Sequence, residues 1–314
     1  MIVRYLFLIS LCFSQYAAPQ KHMIQIPDSL KGKDFDYLFD RIEDDSISTN
    51  QRSLYITSFL IKAKLEVNWE ELSNAYKNYV HYAPDKLKLV YADSMVAAAR
   101  KSNSNEIIGS AYLSKGIAYY GQKRLAEAMD IYLIADSYIK KTEDKYLLYK
   151  TKYHIGQIKY YLGYYDEAIL IFQDCINYFK RSNVRAYLNS LHSLGVCYDM
   201  VGNHALSTSV NERGIAEGKR TGNFAMEPYF VHSEGVNQSI IHNYEIAIKK
   251  LQSSLPGIRE NKDFANETVG YFYIGKSYWE LNEKEKAVVY FKKVDKSYTA
   301  VSYTHLTLPT TPYV

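Results

Sequence analysis

A histidine and a cysteine, the side chains of a thiol nucleophile and its base, lie five residues apart at His192 and Cys197. A base activates a thiol when the two groups are within hydrogen-bond reach. On an α-helix, residues three or four apart share a face, whereas residues five apart do not. The spacing therefore argues against a catalytic pair. Cys175 and Cys197 also lack CxxC spacing, so we expect buried free thiols, with a single disulfide between them as the alternative.

A second histidine, His232, lies forty residues after His192, and the two could approach each other across a repeat. A metal ion there would need further ligands, and Asp199 is the nearest candidate, so a coincidence of the repeat is the preferred explanation. The chain has no Gly-rich phosphate loop followed by Lys and Ser or Thr, no HExxH and no GxSxG. We therefore expect no enzymatic activity, no cofactor and no metal site.

The charge of the 314-residue chain is nearly balanced, with 38 Lys and Arg against 34 Asp and Glu and a net charge of +4. This balance leaves no electrostatic surface of the kind that nucleic acid requires. Tyrosine is abundant, with 32 residues. Because its ring is apolar and its hydroxyl is polar, tyrosine suits both helix packing and binding surfaces.

The first eighteen residues have the three parts of a secretory signal peptide. Arg4 precedes a short apolar run from Tyr5 to Phe13, and small residues follow at Ala17 and Ala18. The run is too short to anchor the chain in a bilayer permanently. We expect residues 1–18 to be removed and the remaining chain to be exported to the periplasmic side. A lipoprotein acylated at Cys12 and an N-terminal core helix are the alternatives.

Glycine recurs in the second half of the chain at intervals of 39 or 40 residues, and a small residue follows each glycine twelve positions later. The glycines are Gly116, Gly156, Gly195, Gly235 and Gly275. The small residues are Ala128, Ala168, Ser207, Ala247 and Ala287. A glycine inside a helical pattern costs about 1 kcal/mol relative to alanine, so its recurrence indicates close packing of two helices. We predict a helical hairpin in each unit, with the glycine and the small residue at the contact.

These units resemble the tetratricopeptide repeat (TPR), whose first helix carries Leu-Gly and an aromatic and whose second helix carries alanine and an aromatic. The last unit matches well, with Ile274, Gly275, Tyr278, Ala287 and Phe291. The resemblance implies an all-α fold, a right-handed α-α superhelix of about seven hairpins. Residues 105–298 would form five TPR-like repeats, and residues 26–104 would form divergent N-terminal hairpins.

Such a superhelix has a concave face built mainly from the first helices, which can bind an extended peptide or a partner helix. We expect positions three before, one after and four after the packing glycine to point into it. The candidate groove residues are Tyr120, Tyr153, Gln157, Tyr160, His192, Asp199, His232, Lys276 and Trp279. The alternative is that these aromatic and polar side chains pack between neighbouring hairpins. The expected partner is a protein or peptide, and not nucleic acid.

The last fourteen residues, VSYTHLTLPTTPYV, contain no Lys, Arg, Asp or Glu. VSYTHL is similar to the translation of a transposon-end adapter used in sequencing libraries, so we expect residues 301–314 to be non-native. A native threonine-rich end is the alternative. A solenoid without its polar cap exposes apolar surface, so self-association is expected as well.

Residues 26–298 also resemble the exported repeat region of bacterial membrane-bound regulators, whose cytoplasmic part is an AraC-type helix-turn-helix domain. The stretches IPDSLKGKDFDYLFDRIE and NKDFANETVGYFYIGKSYWEL contribute to this resemblance. It implies a periplasmic sensor region, with a membrane helix and a DNA-binding domain in a missing C-terminal segment. A free-standing exported scaffold and the non-catalytic part of an enzyme are the alternatives.

Overall fold

The computed structural model describes residues 25–300, and the side chains of 297–300 lie outside the description. The predicted signal peptide and the predicted non-native tail therefore lie outside the described residues. Within 25–300 the chain forms fourteen α-helices and no strand, which confirms the all-α helical solenoid. In chain order the helices are α1 Phe35–Glu43, α2 Thr49–Leu65, α3 Trp69–Tyr82, α4 Asp85–Ser102, α5 Asn105–Gly121, α6 Leu125–Ile139, α7 Lys145–Tyr161, α8 Tyr165–Ser182, α9 Val184–Met200, α10 His204–Thr221, α11 Glu227–Ile240, α12 Tyr244–Glu260, α13 Phe264–Glu280 and α14 Lys284–Ala300.

Consecutive helices pair as seven hairpins along the described chain, from α1–α2 to α13–α14. First helices also pack against the first helix of the next hairpin, from α3 through α13. Consecutive second helices between residues 25 and 300 make no comparable contact. The stack is therefore tighter on the side of the first helices, which places them on its inner face.

Polar side chains begin many of these helices by accepting hydrogen bonds from backbone N–H groups of the first turn. Ser48 begins α2 with a complete capping box, in which Gln51 also accepts from the Ser48 backbone N–H. Asn68 begins α3 and Asp144 begins α7 in the simpler way. These caps fix where α3 and α7 start, and with them the register of the side chains that these helices present inside the solenoid.

The five repeated glycines lie at the contact between the two helices of their hairpins. The side chain over each glycine comes from the residue sixteen positions later. The pairs are Gly116 with Tyr132, Gly156 with Phe172, Gly195 with Asn211, Gly235 with Leu251 and Gly275 with Phe291. The sequence placed the small residue twelve positions later at this contact. Those small residues, Ala128, Ala168, Ser207, Ala247 and Ala287, are fully buried, and the Ser207 hydroxyl oxygen lies 3.8 Å from the Cβ position of Gly195. The glycine thus makes room for the side chain sixteen positions later, and at Gly235 also for the Leu251 backbone nitrogen, which lies 3.1 Å from the Cβ position.

The turn inside each repeated hairpin has a residue with left-handed backbone seven positions after the packing glycine. These residues are Lys123, Gly163, Gly202, His242 and Asn282, with φ between 61° and 84°. Two of them are glycines, for which this conformation carries no steric cost. The other three are not glycines and adopt the left-handed backbone conformation at some steric cost. The hairpin therefore imposes the turn geometry, and the local sequence does not.

No helix in the described range 25–300 is both long enough and apolar enough to cross a membrane.

Candidate functional site

Four successive first helices line one cavity of about 770 Å³. Its walls come mainly from α1, α3 and α5, and α7 contributes Lys150 alone. Phe59 on α2 and Asp85 and Lys88 on α4 also line it. A second cavity of about 340 Å³ follows between α7 and α9. Lys150 on α7 lines both cavities. We call these two cavities together the inner groove.

Helix α3 presents a polar face to the inner groove. Glu71, Asn74, Lys77, Asn78 and His81 all line the first cavity. The Asn74 Nδ2 donates a hydrogen bond to the Glu71 carboxylate at 3.2 Å. Asn78 is only 6% exposed, and its buried Nδ2 has no partner among the described residues. A buried donor without an acceptor is costly, so this amide is available to a ligand carbonyl.

Helix α7 contributes aromatic and imidazole groups to the second cavity. His154 stacks on Tyr132, with ring centroids 5.5 Å apart. Burial, together with the smaller effect of the positive charge of Lys150, lowers the pKa of His154 to about 4. The imidazole is therefore neutral at pH 7, and its buried Nδ1 has no partner in the described structure.

Two predicted groove residues, Tyr153 and Gln157, form a hydrogen bond with each other, and Tyr153 also contacts the next hairpin. The Gln157 Nε2 donates to the Tyr153 hydroxyl at 2.8 Å, and this hydroxyl lies 3.4 Å from the Ser193 hydroxyl on α9. Burial raises the pKa of Tyr153 to about 12. Tyr153 lines the second cavity, so it both packs between hairpins and borders the groove.

The other predicted positions three before and four after the glycine lie mainly between hairpins. Tyr120 contacts Tyr161 of the next first helix at a centroid distance of 5.8 Å. His192 lies 3.1 Å from the Ser233 hydroxyl and contacts Phe230. Tyr160 packs against the core of the following hairpin. These side chains join hairpins, and burial raises the pKa of both Tyr120 and Tyr160.

His232 differs from the expectation of an open groove position, because it is only 4% exposed. Burial lowers the pKa values of His192 and His232 to about 4, and the nearby His232 adds to the effect on His192. The first helix of the next hairpin covers His192 and His232. The spacing of residues within one hairpin does not predict this cover.

The last described hairpin presents Lys276 and Trp279 without such a cover. Trp279 is 49% exposed, and the Lys284 ammonium lies 5.4 Å from its ring centroid. Lys276 is half-buried beside the Tyr273 ring. In the hairpins before it, a following first helix occupies the corresponding space.

Asp199 lies in a cluster that has the three residue types of a catalytic triad but different contacts between them. The Ser207 hydroxyl donates to one carboxylate oxygen at 2.7 Å, and the His204 Nδ1 lies 3.1 Å from the other. In a triad the histidine contacts the serine, whereas here the aspartate lies between them. Ser207 is also fully buried. The cluster therefore holds α9 to α10 and does not activate a nucleophile.

The two described cysteines, Cys175 and Cys197, are buried free thiols. Burial raises the pKa of each to about 12. Each remains a protonated thiol at neutral pH, which makes it a poor nucleophile. No group of three His, Cys, Asp or Glu side chains within residues 25–300 is arranged to hold a metal ion.

The main groove-lining positions lie two and six residues before the glycine and were not predicted from the sequence. On α5 and α7 these include Ser114, Lys150 and His154. They share a helix face with the residue one after the glycine, such as Ile117, because three- and four-residue steps return to one face. Helical spacing could have found them once the face towards the next hairpin was known.

Comparison with known proteins identifies repeats of one kind in the chain. The family described as "Tetratricopeptide repeat" matches residues 149–180 and residues 270–299. These ranges fall on the hairpins α7–α8 and α13–α14. No curated protein matches the chain significantly. The repeats expected from the glycine spacing are thus detected in two hairpins.

Several solved structures have a similar fold. Aspartyl phosphate phosphatase F from Bacillus subtilis has a TM-score of 0.63 and 16% identity, covering 83% of this chain and 67% of that one. A Rap protein complexed with Competence and Sporulation Factor has a TM-score of 0.58 and 15% identity over 86% and 73%. The apo form of the quorum sensor NprR from B. thuringiensis has a TM-score of 0.56 and 15% identity over 83% and 80%. At these identities the likeness establishes the helical-repeat fold.

Proposed function

We propose that this chain is a non-enzymatic scaffold that binds a protein or peptide segment in its inner groove. The observation that carries the proposal is the cavity of about 770 Å³ shared by the first helices of four successive hairpins. A cavity shared by parallel helices is elongated across them, and an extended chain fills such a shape better than a compact metabolite does.

The polar groups of the groove suit a peptide backbone. The buried Asn78 Nδ2 offers a donor without a partner, and the neutral His154 offers a ring nitrogen without one. Amide and imidazole groups can pair with the carbonyl and N–H groups that every peptide carries. Phe35 and Ile117 add apolar surface to the same cavity. The groove thus combines backbone recognition with side-chain contacts.

Two of the proteins with similar folds also fit this function. One was solved in complex with Competence and Sporulation Factor, and the other is a quorum sensor. Both share the helical-repeat architecture of this chain. The phosphatase named among the similar structures is the reason to measure binding directly and not to infer it from the fold.

At a finer level, we propose that the scaffold is the exported sensor region of a membrane-bound regulator with an AraC-type helix-turn-helix domain. Support comes from the signal-like residues 1–18 and from the resemblance over residues 26–298. Partner binding would change the curvature of the solenoid and move the following membrane helix. Protease accessibility of the full-length chain in spheroplasts tests this location, because a cytoplasmic repeat region would be protected.

The binding proposal is tested by selecting displayed random dodecapeptides on the full chain and titrating the winners in solution. Ser114→Arg places a long side chain in the first cavity and is expected to weaken binding at least tenfold. Leu170→Arg is the matched control, because Leu170 is 67% exposed on the second helix α8. Both variants should melt like the wild type. Peptides that bind Ser114→Arg as tightly as wild type would exclude the inner groove as the site.

A further inference from the structure

One joint of the solenoid, meaning the contact between one hairpin and the first helix of the next, has polar side chains at core positions. The positions lie sixteen after a packing glycine, one before the next packing glycine and two after it. In the joint between α10 and α11 they are Asn211, Glu234 and Asn237. In the preceding joint they are Phe172, Leu194 and Cys197, which belong to one core cluster. In the following joint Leu251 and Ile274 share a core cluster, and the third residue is Ser277.

Each of these three polar side chains has an oxygen without a hydrogen-bond donor. Asn211 and Asn237 are fully buried, and Glu234 is 4% exposed. The atoms without a partner in the described structure are Asn211 Oδ1, Glu234 Oε2 and Asn237 Oδ1. All three are acceptors, and an acceptor that is buried without a partner lowers stability. The joint therefore calls for a species that supplies positive charge to these oxygens.

The hydrogen bonds of Asn237 and Glu234 determine which of their oxygens stay free. The Asn237 Nδ2 donates to the His204 carbonyl at 3.0 Å and to the Thr208 hydroxyl at 2.8 Å, which fixes the orientation of the amide. The Gln238 Nε2 donates to Glu234 Oε1 at 2.8 Å and leaves Oε2 without a partner among the described residues. Two oxygens on one face of α11 are thus directed into the joint.

The joint also carries negative charge. Burial raises the pKa of Asp199, and the charge of nearby Glu234 also raises it. The Asp199 oxygens already contact Ser207 and His204, so Asp199 adds negative potential without a free ligand atom. Carboxylate and amide oxygens are the ligands of hard divalent cations, and a bound cation offsets the cost of burying a carboxylate.

We propose that Asn211, Glu234 and Asn237 bind a hard divalent cation between α10 and α11, with water completing its coordination. Because two of the three ligands are amides, the site needs no group of three His, Cys, Asp or Glu side chains, and residues 25–300 contain none. Ca²⁺ suits the set better than Mg²⁺, since Ca²⁺ tolerates irregular coordination by amide oxygens and Mg²⁺ requires near-octahedral geometry. The site lies outside the inner groove, and its cation would tie α10 to α11.

The test compares melting temperatures of the full chain, first freed of metal by a chelator, with CaCl₂, MgCl₂ or ZnCl₂ at constant ionic strength. A hundredfold excess of Ca²⁺ over its dissociation constant should raise the melting temperature by about 5 °C. Isothermal titration calorimetry should show one Ca²⁺ site per chain. The absence of any response to Ca²⁺ and Mg²⁺ overturns the proposal. A response to Zn²⁺ alone also overturns it, because Zn²⁺ favours imidazole and thiolate ligands.

Two variants assign the site to these residues. Glu234→Gln keeps the shape of the side chain and removes its charge, so Ca²⁺ binding should weaken by about tenfold or more. Asn211→Leu introduces the residue type found at position 251, and it should abolish the response to Ca²⁺ while raising the melting temperature of the cation-free chain. Glu212→Gln, at an exposed position of α10, is the matched control and should bind like the wild type. Unchanged Ca²⁺ binding in either Glu234→Gln or Asn211→Leu overturns the proposal.

Discussion

At the scale of single residues, the hairpin turns allow the effect of backbone conformation on stability to be measured apart from the effect of side-chain packing. Gly163 has a φ of 84°, and a Cβ atom there would meet nothing within 4 Å. The strain of a left-handed alanine is therefore the main effect of Gly163→Ala. We expect it to lower the free energy of unfolding by about 1 kcal/mol, measured by urea denaturation.

Gly121→Ala is the matched control for this prediction. Gly121 ends α5, also has open space around its Cβ position, and has no positive φ. Alanine there should leave stability unchanged or raise it by up to about 1 kcal/mol. Equal destabilisation by the two substitutions would show that the left-handed conformation is not what the glycine at 163 provides.

The packing glycines differ in how closely an added methyl group would approach the neighbouring atoms. A Cβ at Gly235 would lie 2.7 Å from the Leu251 side chain and 3.1 Å from its backbone nitrogen. A Cβ at Gly195 would meet the flexible amide end of Asn211 at 2.9 Å. We expect Gly235→Ala to cost about 1–3 kcal/mol through overpacking.

Gly195→Ala should be close to neutral, because the Asn211 amide can move and alanine favours the helix by about 1 kcal/mol. Thermal melts of the two variants side by side check the difference. A larger loss for Gly195→Ala than for Gly235→Ala would contradict the packing described for the repeats.

At the scale of elements, the joint between α10 and α11 contains buried polar side chains. Asn237 on α11 donates to the His204 carbonyl and to the Thr208 hydroxyl of α10. Its Oδ1 and the Glu234 Oε2 are buried without partners in the described structure. A polar joint of this kind contributes less apolar burial, so we expect the stack to open here before it opens within the N-terminal hairpins.

Three histidines, of which His232 is buried and His154 and His192 are partly buried, make the stability of these joints depend on pH. Burial lowers the pKa values of His154, His192 and His232 from 6.5 to about 4. Between pH 4 and pH 6.5 the unfolded chain binds more protons than the folded chain, so the free energy of unfolding decreases as the pH falls from 6.5 towards 4. Above pH 6.5 the contribution of these three histidines is constant. Melting temperatures across pH 4–8 measure this fall.

The pH prediction is tested with His192→Gln, which removes one of these three imidazoles. It should reduce the slope of melting temperature against pH between 4 and 6.5. The same substitution at His242, which is exposed at a hairpin turn, should not. A slope that is unchanged in His192→Gln would mean that the histidine is not protonated on unfolding in this range.

The elements themselves were largely predictable, whereas the faces they present were not. The predicted all-α fold of about seven hairpins agrees with the seven hairpins from α1–α2 to α13–α14, because the spacing of glycines and apolar residues is a local property. Which face of a first helix meets the next hairpin depends on the rotation between hairpins. That rotation is a long-range property, so His232 was expected in the groove and is buried, while Lys150 was missed.

At the scale of the whole molecule, the last described hairpin carries an apolar surface. Phe272, Trp279, Val288 and Val289 are between 38% and 53% exposed there. We expect the chain to self-associate through this surface, because exposed apolar patches of adjacent large side chains favour association. Sedimentation velocity at rising concentration measures it.

Replacing Trp279 and Val289 by serine is expected to shift the chain towards monomer. Leu170→Ser removes an exposed apolar side chain from α8 and should have no such effect. Monomeric wild-type chain over the whole concentration range would contradict the prediction.

We propose that the first helices α3, α5 and α7 form the binding face of this solenoid. Hydrogen exchange of the chain with and without a saturating selected peptide tests it most directly. We predict added protection in α3, α5 and α7 and unchanged exchange in the second helices α6 and α8. Protection confined to the second helices or to α13 and α14 would contradict the claim.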